Sequence, residues 1–275
     1  MTSHASFKVE SLLAEASQVG PVLGLETGGA HASLALSWSG GLTTDRLPAG
    51  EPHARTLANA VTRLMDRCGI GLADLAAIAV GLGPGSFTGL RVALSYAKGM
   101  TLVGGCRLVG IPSLDALALC AAVAWQPTHE LQLCPLLDAR KGEVYAAIYC
   151  GQHEGLVRLC DDLVIKPREL AARLQEPVVF FGEGALVYAG ELVAARQGRV
   201  AELGAGWTAA EAIAILGAAR LARHQIDNAR GLEPRYVRPP EAELKLKRAS
   251  TAAGAEVVWS SEKKRSFTNI SMMRS

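Results

Sequence analysis

Aromatic residues are scarce, at 5% of the 275 residues, so the core has to be built from the abundant Ala, Leu, Val and Gly, a balance that suits helices packed closely on sheets. Cysteine spacing is equally uninformative of metal: the six cysteines at 68, 106, 120, 134, 150 and 160 form no C-x-x-C pair. That argues against a zinc cluster or a small disulfide framework and for reduced, half-buried thiols. Charge of one sign is lacking too, with 28 basic against 26 acidic residues and a net charge of +2. A dedicated nucleic-acid binder carries a basic stripe or a larger excess. The dense basic runs here, Lys245-Leu246-Lys247-Arg248 and Lys263-Lys264-Arg265, read as solvated charge near the end of the chain. No uncharged apolar run is long enough to span a bilayer, and residues 1–20 show no basic stretch followed by an apolar core. The expectation is a cytoplasmic protein.

What is present is a chain that is 49% apolar and 20% charged, enough to bury a sizeable core in one large or two smaller domains. Residues 1–20 read as a ragged extension with one helical turn around Leu12-Leu13-Ala14. Val22 to Glu26, Ala32 to Leu36 and Leu42 to Leu47 form a meander punctuated by Thr27-Gly28-Gly29 and Gly40-Gly41. A helix opens at Pro52-His53, carries Leu57, Ala60, Val61, Leu64 and Cys68 at three- and four-residue steps, and stops at Gly69. Ala76 to Leu82 is a buried-type strand, followed by helices from Thr88 to Val103 and from Leu114 to Ala124, the latter with Ser113 as its cap. A second hairpin, Leu133 to Asp138 and Val144 to Tyr149, aligns with the first at a constant offset, matching Leu25 with Leu137, Glu26 with Asp138, Ala35 with Ala147 and Leu36 with Ile148. With Val178 to Phe181 before Gly182-Glu183-Gly184, the second half repeats the first. A last helix spans 208 to 224 with Thr208 and Glu211 as a capping box, and Glu233 to Pro239 is extended. Residues 249–275 are Ser/Ala-rich and then basic, a composition expected of a disordered tail, in which Val257-Val258-Trp259 could dock.

The segment Gly81-Leu82-Gly83-Pro84-Gly85-Ser86-Phe87-Thr88-Gly89-Leu90-Arg91 lies between a strand and a helix, where backbone N–H groups can receive an anion. It is no P-loop, because no Gly-Lys-Ser/Thr follows, and no G-x-G-x-x-G, because Thr88 stands where the last glycine would be. Read from composition, it is a tight strand-to-helix connection or an anion loop built on Gly83, Gly85 and Ser86.

As a string, Gly83 to Arg91 resembles the signature of the TsaB (YeaZ) family of threonylcarbamoyladenosine biosynthesis proteins. The Val22–Leu36 hairpin, His53, Ala97-Lys98-Gly99, Asp138 to Tyr145, Gly182-Glu183-Gly184 and Pro234-Arg235-Tyr236-Val237-Arg238 are similar to further family features, in order, over roughly residues 21–248. The resemblance implies an α/β, two-lobed actin-like ATPase (ASKHA, ribonuclease H-like) fold with a duplicated β-meander. Lobe one would be 21–112, lobe two 113–207 and the C-terminal helix and extended segment 208–248, with helix 208–224 packing back on lobe one. It implies a non-catalytic subunit in forming N6-threonylcarbamoyladenosine at position 37 of tRNAs reading ANN codons, acting with TsaD and TsaE homologues and meeting tRNA through them. Isolated members would form homodimers, and ATP would bind only at an interface with partners.

Two histidines one turn apart bind the metal in TsaD. Here the helix reads His53-Ala54-Arg55-Thr56-Leu57, leaving leucine at the second place, so His53 is read as a helix-start hydrogen-bonding residue and no metal is expected. Glu26-Thr27-Gly28 departs from the family's Asp-Thr-Ser, which weakens a phosphate site and leaves Glu26 at most part of a vestigial one. The partner surface is expected on His53, Leu57, Val61, Leu64, Arg91, Val92, Tyr96 and Met100, with the Gly89, Ala93, Ala97 row admitting a partner helix; packing on the chain's own sheet is the competing account. His129, His153 and His224 show no metal spacing, and no G-x-S-x-G elbow is present. The alternatives are an independent actin-like kinase or metallopeptidase and a direct tRNA binder.

Overall fold

The computed structural model describes residues 6–238 except 30, 40, 49, 128–130, 153–154, 175–176, 196–198 and 205. His129, His153, the basic runs and the Val257-Val258-Trp259 segment lie outside the described residues. Every contact below lies within the compact unit that ends at Val237.

The first half contains β1 (Ser6–Phe7), α1 (Val9–Ala16), β2 (Val22–Glu26), β3 (Ser33–Trp38), β4 (Gly41–Arg46), α2 (His53–Cys68), a 3-10 turn at Leu72–Asp74, β5 (Ala77–Gly81), α3 (Phe87–Gly104), β6 (Arg107–Ile111) and α4 (Ser113–Trp125). The second contains β7 (Gln132–Asp138), β8 (Val144–Ala146), β9 (Tyr149–Gln152), β10 (Gly155–Arg158), β11 (Leu163–Ile165), α5 (Pro167–Arg173), β12 (Val178–Phe181), α6 (Glu183–Val187), α7 (Ala189–Ala195), β13 (Arg199–Val200) and α8 (Ala209–Ala222).

The first sheet has the order β4-β3-β2-β5-β6, with β2, β5 and β6 parallel and the hairpin strands antiparallel. The second runs β10-β9-β7-β12-β13, the same order, with β1 added at its edge and β8 and β11 extending the hairpin side. The duplication is therefore real, and the fold is the two-lobed α/β arrangement expected. The ungapped offset is one residue out in the returning strand. Glu26 pairs Ser33 whereas Asp138 pairs Val144, so Ala35 corresponds to Ala146 rather than Ala147. The second hairpin has the shorter turn, and a one-residue change reverses the face of every following side chain.

Each face of the first sheet is covered by helices. On one side Leu23, Leu25, Leu34, Leu36, Ile78 and Val80 pack against α2 and α3. On the other, α8 crosses so closely that a Cβ at Gly24 would stand 2.8 Å from the Ala214 nitrogen, and one at Gly217 would run into Ala79. The Ala- and Gly-rich composition has this physical use: small residues on both partners let a helix axis approach the sheet. Helix α8 begins with the expected box, Glu211 N–H donating to Thr208 Oγ1 (3.3 Å) and Thr208 N–H to Glu211 Oε2 (2.6 Å).

Residues 6–20 are not a ragged extension. Strand β1 pairs β10, Leu12 and Ala16 are buried in the core shared with α4 and α8, and Glu15 Oε2 lies 2.8 Å from Arg223 Nε.

Candidate functional site

The tip of β2, the glycine-rich segment and the start of α4 converge on Glu26. This carboxylate is 3% exposed; its Oε1 accepts from Gly28 N–H (2.6 Å) and its Oε2 from the Ser113 hydroxyl (2.6 Å). Ser113 Oγ in turn accepts from Gly83 N–H (3.1 Å), and Ser113 N–H donates to the Gly83 carbonyl (2.9 Å). Ser113 thus does not cap α4, as its position suggested; its hydroxyl is spent bridging Glu26 to the loop. Gly81 is required beside it, because a Cβ there would strike the Glu26 carboxylate. Burial pushes the Glu26 carboxyl above its ordinary value of 4.5; the hydrogen bonds from Ser113, Gly28 and Thr27 oppose the shift, and the nearby Glu183 adds to it.

The turn after β2 closes on the glycine-rich segment itself. Ser86 N–H donates to the Gly28 carbonyl (2.7 Å), Thr27 Oγ1 donates to the Gly89 carbonyl (2.7 Å), and Gly85 sits so near that a Cβ would stand 2.5 Å from the Gly28 oxygen. The Leu90 side chain fills the space between Gly28 and Gly83, 2.7 and 2.6 Å from where their Cβ atoms would be. Gly83 has φ +91°, open to glycine and strained for other residues. Ser86 caps α3, with Gly89 N–H donating to its hydroxyl (3.3 Å). Gly83, Gly85, Ser86 and Glu26 are therefore brought together, but the N–H groups of Gly83 and Ser86 and both oxygens of Glu26 are committed to the chain's own atoms. This arrangement fits a zipped turn. Asp138, the equivalent acid of the second lobe, accepts from Arg140 N–H (2.8 Å) and the Tyr188 hydroxyl (3.1 Å), and its Oδ2 is 3.5 Å from Arg140 Nη1.

The residues sought as a partner surface divide. Leu57, Val61 and Leu64 are at most 1% exposed and belong to the first lobe's core, so they cannot meet another protein. Val92, Tyr96 and Met100 are half-buried against the same core. Ala93 and Ala97 are buried there too, and Gly89 backs onto the Thr27 carbonyl, so the small-residue row serves the chain's own packing. His53 is half-buried at the start of α2, and its Nδ1 is buried with no hydrogen-bond partner among the described residues. Arg91 is exposed.

Arg91 also joins two of the family-like strings in space, Gly83–Arg91 and Pro234–Arg238. Its Nε donates to the Tyr236 hydroxyl (2.8 Å), its guanidinium lies 3.8 Å from the Phe87 ring centroid, and the Phe87 and Tyr236 rings are 5.3 Å apart. The Arg235 N–H donates to the Leu82 carbonyl (2.7 Å), and Arg235 Nη1 is 3.8 Å from Asp162 Oδ2. Behind this contact is a buried polar chain that sequence reading missed. Arg158, 8% exposed, donates to Asp115 (2.7 Å), Asp162 (2.5 Å) and the Cys160 carbonyl (2.8 Å), while the Tyr149 hydroxyl donates to Asp115 (2.5 Å). Only the Arg158–Asp162 spacing is visible in the sequence; Asp115 and Tyr149 arrive from distant elements.

The model of the family described as TsaD: tRNA N6-adenosine threonylcarbamoyltransferase matches residues 48–245. The chain is 29% identical over 157 residues to the tRNA threonylcarbamoyladenosine biosynthesis protein TsaB of Escherichia coli, covering 56% of this chain and 66% of that protein. It is 28% identical over 198 residues to TsaB of Bacillus subtilis, covering 70% and 82%. A solved Pseudomonas aeruginosa protein, described as having similarity to peptidase YeaZ, superposes with a TM-score of 0.67 at 25% identity, over 80% of this chain and 100% of that one. Shared order of strands, the paired motif strings and the extent of these matches agree: the chain belongs to this threonylcarbamoyltransferase-related family, on its TsaB (YeaZ) side, with the actin-like ATPase fold.

Proposed function

We propose that this protein serves the formation of N6-threonylcarbamoyladenosine on tRNA as a non-catalytic subunit that binds a TsaD homologue and, with it, a TsaE homologue. The observation that carries the reading is that two of the family-like strings pack against each other. Gly83–Arg91 and Arg235–Tyr236 lock onto each other around Arg91, and the polar groups at the strand tips are bonded among themselves. A strand-tip carboxylate held in this way favours action by contact over chemistry. On this reading the chain holds no nucleotide or metal alone, any ATP belongs to an interface with its partners, and tRNA is met through the complex.

The test is reconstitution of transfer from threonylcarbamoyl-adenylate to tRNA by the TsaD homologue, with and without this chain. Transfer should depend on it, and a complex should appear by light scattering. Transfer that proceeds equally without it, and no complex, would overturn the proposal. Stoichiometric metal or tight Mg-ATP binding by the isolated chain would point to an independent enzyme.

A further inference from the structure

The chain that follows α8 is tied down in two stages. Up to Leu232 it belongs to the first lobe. Asp227 N–H donates to the Leu108 carbonyl (3.0 Å), Asp227 Oδ2 accepts from Gly110 N–H on β6 (2.8 Å), and Ala229 and Leu232 pack on that lobe's core. Leu232 N–H also closes a turn onto the Asn228 carbonyl (2.9 Å). From Glu233 to Val237 the chain runs outside helix and strand, and each residue is half-buried or exposed.

The contacts that hold this second stage go to both lobes. Arg235 N–H donates to the Leu82 carbonyl (2.7 Å), the Tyr236 hydroxyl accepts from Arg91 Nε (2.8 Å), and the Tyr236 and Phe87 rings are 5.3 Å apart; these partners all stand in lobe one. The Arg235 side chain instead crosses to lobe two, where its Nη1 is 3.8 Å from Asp162 Oδ2. Asp162 does not follow it: the side chain is 7% exposed and its Oδ1 is held by Arg158, which Asp115 of α4 holds in turn. Magnitudes separate this segment from the rest. The strands of the first sheet have continuous ladders and fully buried leucines, so their amides open only with the lobe. An ion pair whose arginine is 47% exposed changes an equilibrium by about five-fold at most. A segment held by such bonds, with little buried apolar surface, opens locally before the fold does.

We infer that Glu233 to Val237 form a strap that opens and closes across the junction of the lobes as a unit of its own, pivoting on the anchored turn at Asn228–Leu232, and closes fully only at the present spacing of the lobes. The reason is geometric. The Arg235 backbone and the Tyr236 ring are seated on lobe one, while the guanidinium between them reaches lobe two. Moving Asp162 away from Leu82 breaks the ion pair and leaves the other contacts made. Strap closure and lobe spacing are therefore linked, each biasing the other by the same factor. The lobes stay joined throughout by the core that α4 and α8 share, so the motion is a hinge at that layer. Opening uncovers the Leu82 carbonyl, releases Arg91 from Tyr236 and returns Asp162 Oδ2 to water. Such a strap acts within the chain and does not depend on the scaffold role.

Hydrogen exchange followed by NMR on the full chain, in urea below the unfolding transition, reads the strap directly. In the wild type, Arg235 N–H and Arg91 Nε–H should exchange at rates that urea leaves nearly unchanged, while amides of the β2–β3 ladder follow global unfolding. Arg235→Gln keeps the backbone bond but loses the bridge to lobe two, and should speed Arg91 Nε–H exchange by about 2–5-fold. Tyr236→Phe removes the hydroxyl on the lobe-one side and should speed Arg235 N–H exchange by about 2–10-fold. Residual dipolar couplings supply the readout for the lobes: one alignment tensor should fit both sheets of the wild type, and Arg235→Gln should make their fitted orders diverge. Salt at about 1 M should act on the wild type as Arg235→Gln does, and add nothing to that variant. Arg235 N–H exchange that tracks global unfolding, or failure of Arg235→Gln and Tyr236→Phe to fold, would make the segment part of the core and overturn the strap. Lobe couplings or Arg91 Nε–H exchange unaltered by Arg235→Gln would show that strap and lobes move independently, and would overturn it as well.

Discussion

Replacing Arg158 by alanine should destabilise the fold by about 3–5 kcal/mol, the cost of leaving buried charges without their counter-ion. The magnitude follows from the surroundings. The guanidinium makes hydrogen bonds at 2.7 Å to Asp115, 2.5 Å to Asp162 and 2.8 Å to the Cys160 carbonyl, and the side chains of Asp115 and Asp162 are 9% and 7% exposed. Each hydrogen bond to a charged group is worth about 1.5–3 kcal/mol net, but the losses do not simply add, because the abandoned carboxyls can take up protons or water. For a chain of this size each kcal/mol lowers the melting temperature by about 2–4 °C, so scanning calorimetry should find a drop of roughly 6–20 °C. The control is an exposed i,i+4 pair, Glu169 with Arg173, whose atoms are 4.0 Å apart and about half exposed. Glu169→Ala should change stability by less than about 0.5 kcal/mol. Because the orphaned carboxyls are buried, the Arg158→Ala deficit should shrink as pH falls toward 5. A melting shift for Arg158→Ala no larger than that of Glu169→Ala would refute the reasoning.

Glu26→Gln should flatten a pH dependence. Burial raises the Glu26 carboxyl above 4.5, so the folded state holds the proton more tightly; its contribution is complete below 4.5 and is lost as pH rises through the folded value. The glutamine variant should gain on the wild type between pH 4.5 and 8 in urea titrations, and a constant difference across that range would contradict it. Gly89→Ala drives a Cβ into the Thr27 carbonyl and should cost about 1–3 kcal/mol, whereas Gly99→Ala on the same helix meets nothing within 4 Å and should stabilise by about 0.5–1 kcal/mol. A Gly89→Ala variant as stable as the wild type would place the tight contact elsewhere. Thr208→Ala should cost about 1–2 kcal/mol through the lost cap, with Thr208→Ser nearly silent; a serine as damaging as alanine would show that the methyl, and not the hydroxyl, matters.

The first lobe was legible because its signals are local. The α2 stripe from Leu57 to Leu64, its left-handed stop at Gly69, the β2 strand ending on Glu26 and the Thr208–Glu211 box all declare themselves within a few residues. The second lobe was legible only in part: β7 and β12 were read as strands, but β8, β10 and β11 are three or four residues long and no periodicity can settle in such runs. Helix α1 is short, and its docking depends on α4 and α8 far along the chain. The same distinction governs the site. Glycine, serine and arginine in the 83–91 string mark a special backbone, but whether Ser113 caps its helix or bridges Glu26 is decided in three dimensions. The apolar side chains of α2 were correctly read as one face, yet periodicity cannot say which way a face looks; burial turned Leu57, Val61 and Leu64 inward and left Arg91 outside.

Helix α8 has a consequence for how the chain comes to be folded during synthesis. One face of the first sheet, begun at Val22, stays bare until Ala209–Ala222 has been made, because that helix supplies its cover. At about 5–20 residues per second the wait is roughly 10–40 s. During it Ala35, Ala77 and Ala79 look out on water instead of on helix, and the small side chains that permit the later close approach also make that interim surface a weakly adhesive one. The lobe that is first in sequence is thus among the last parts to close.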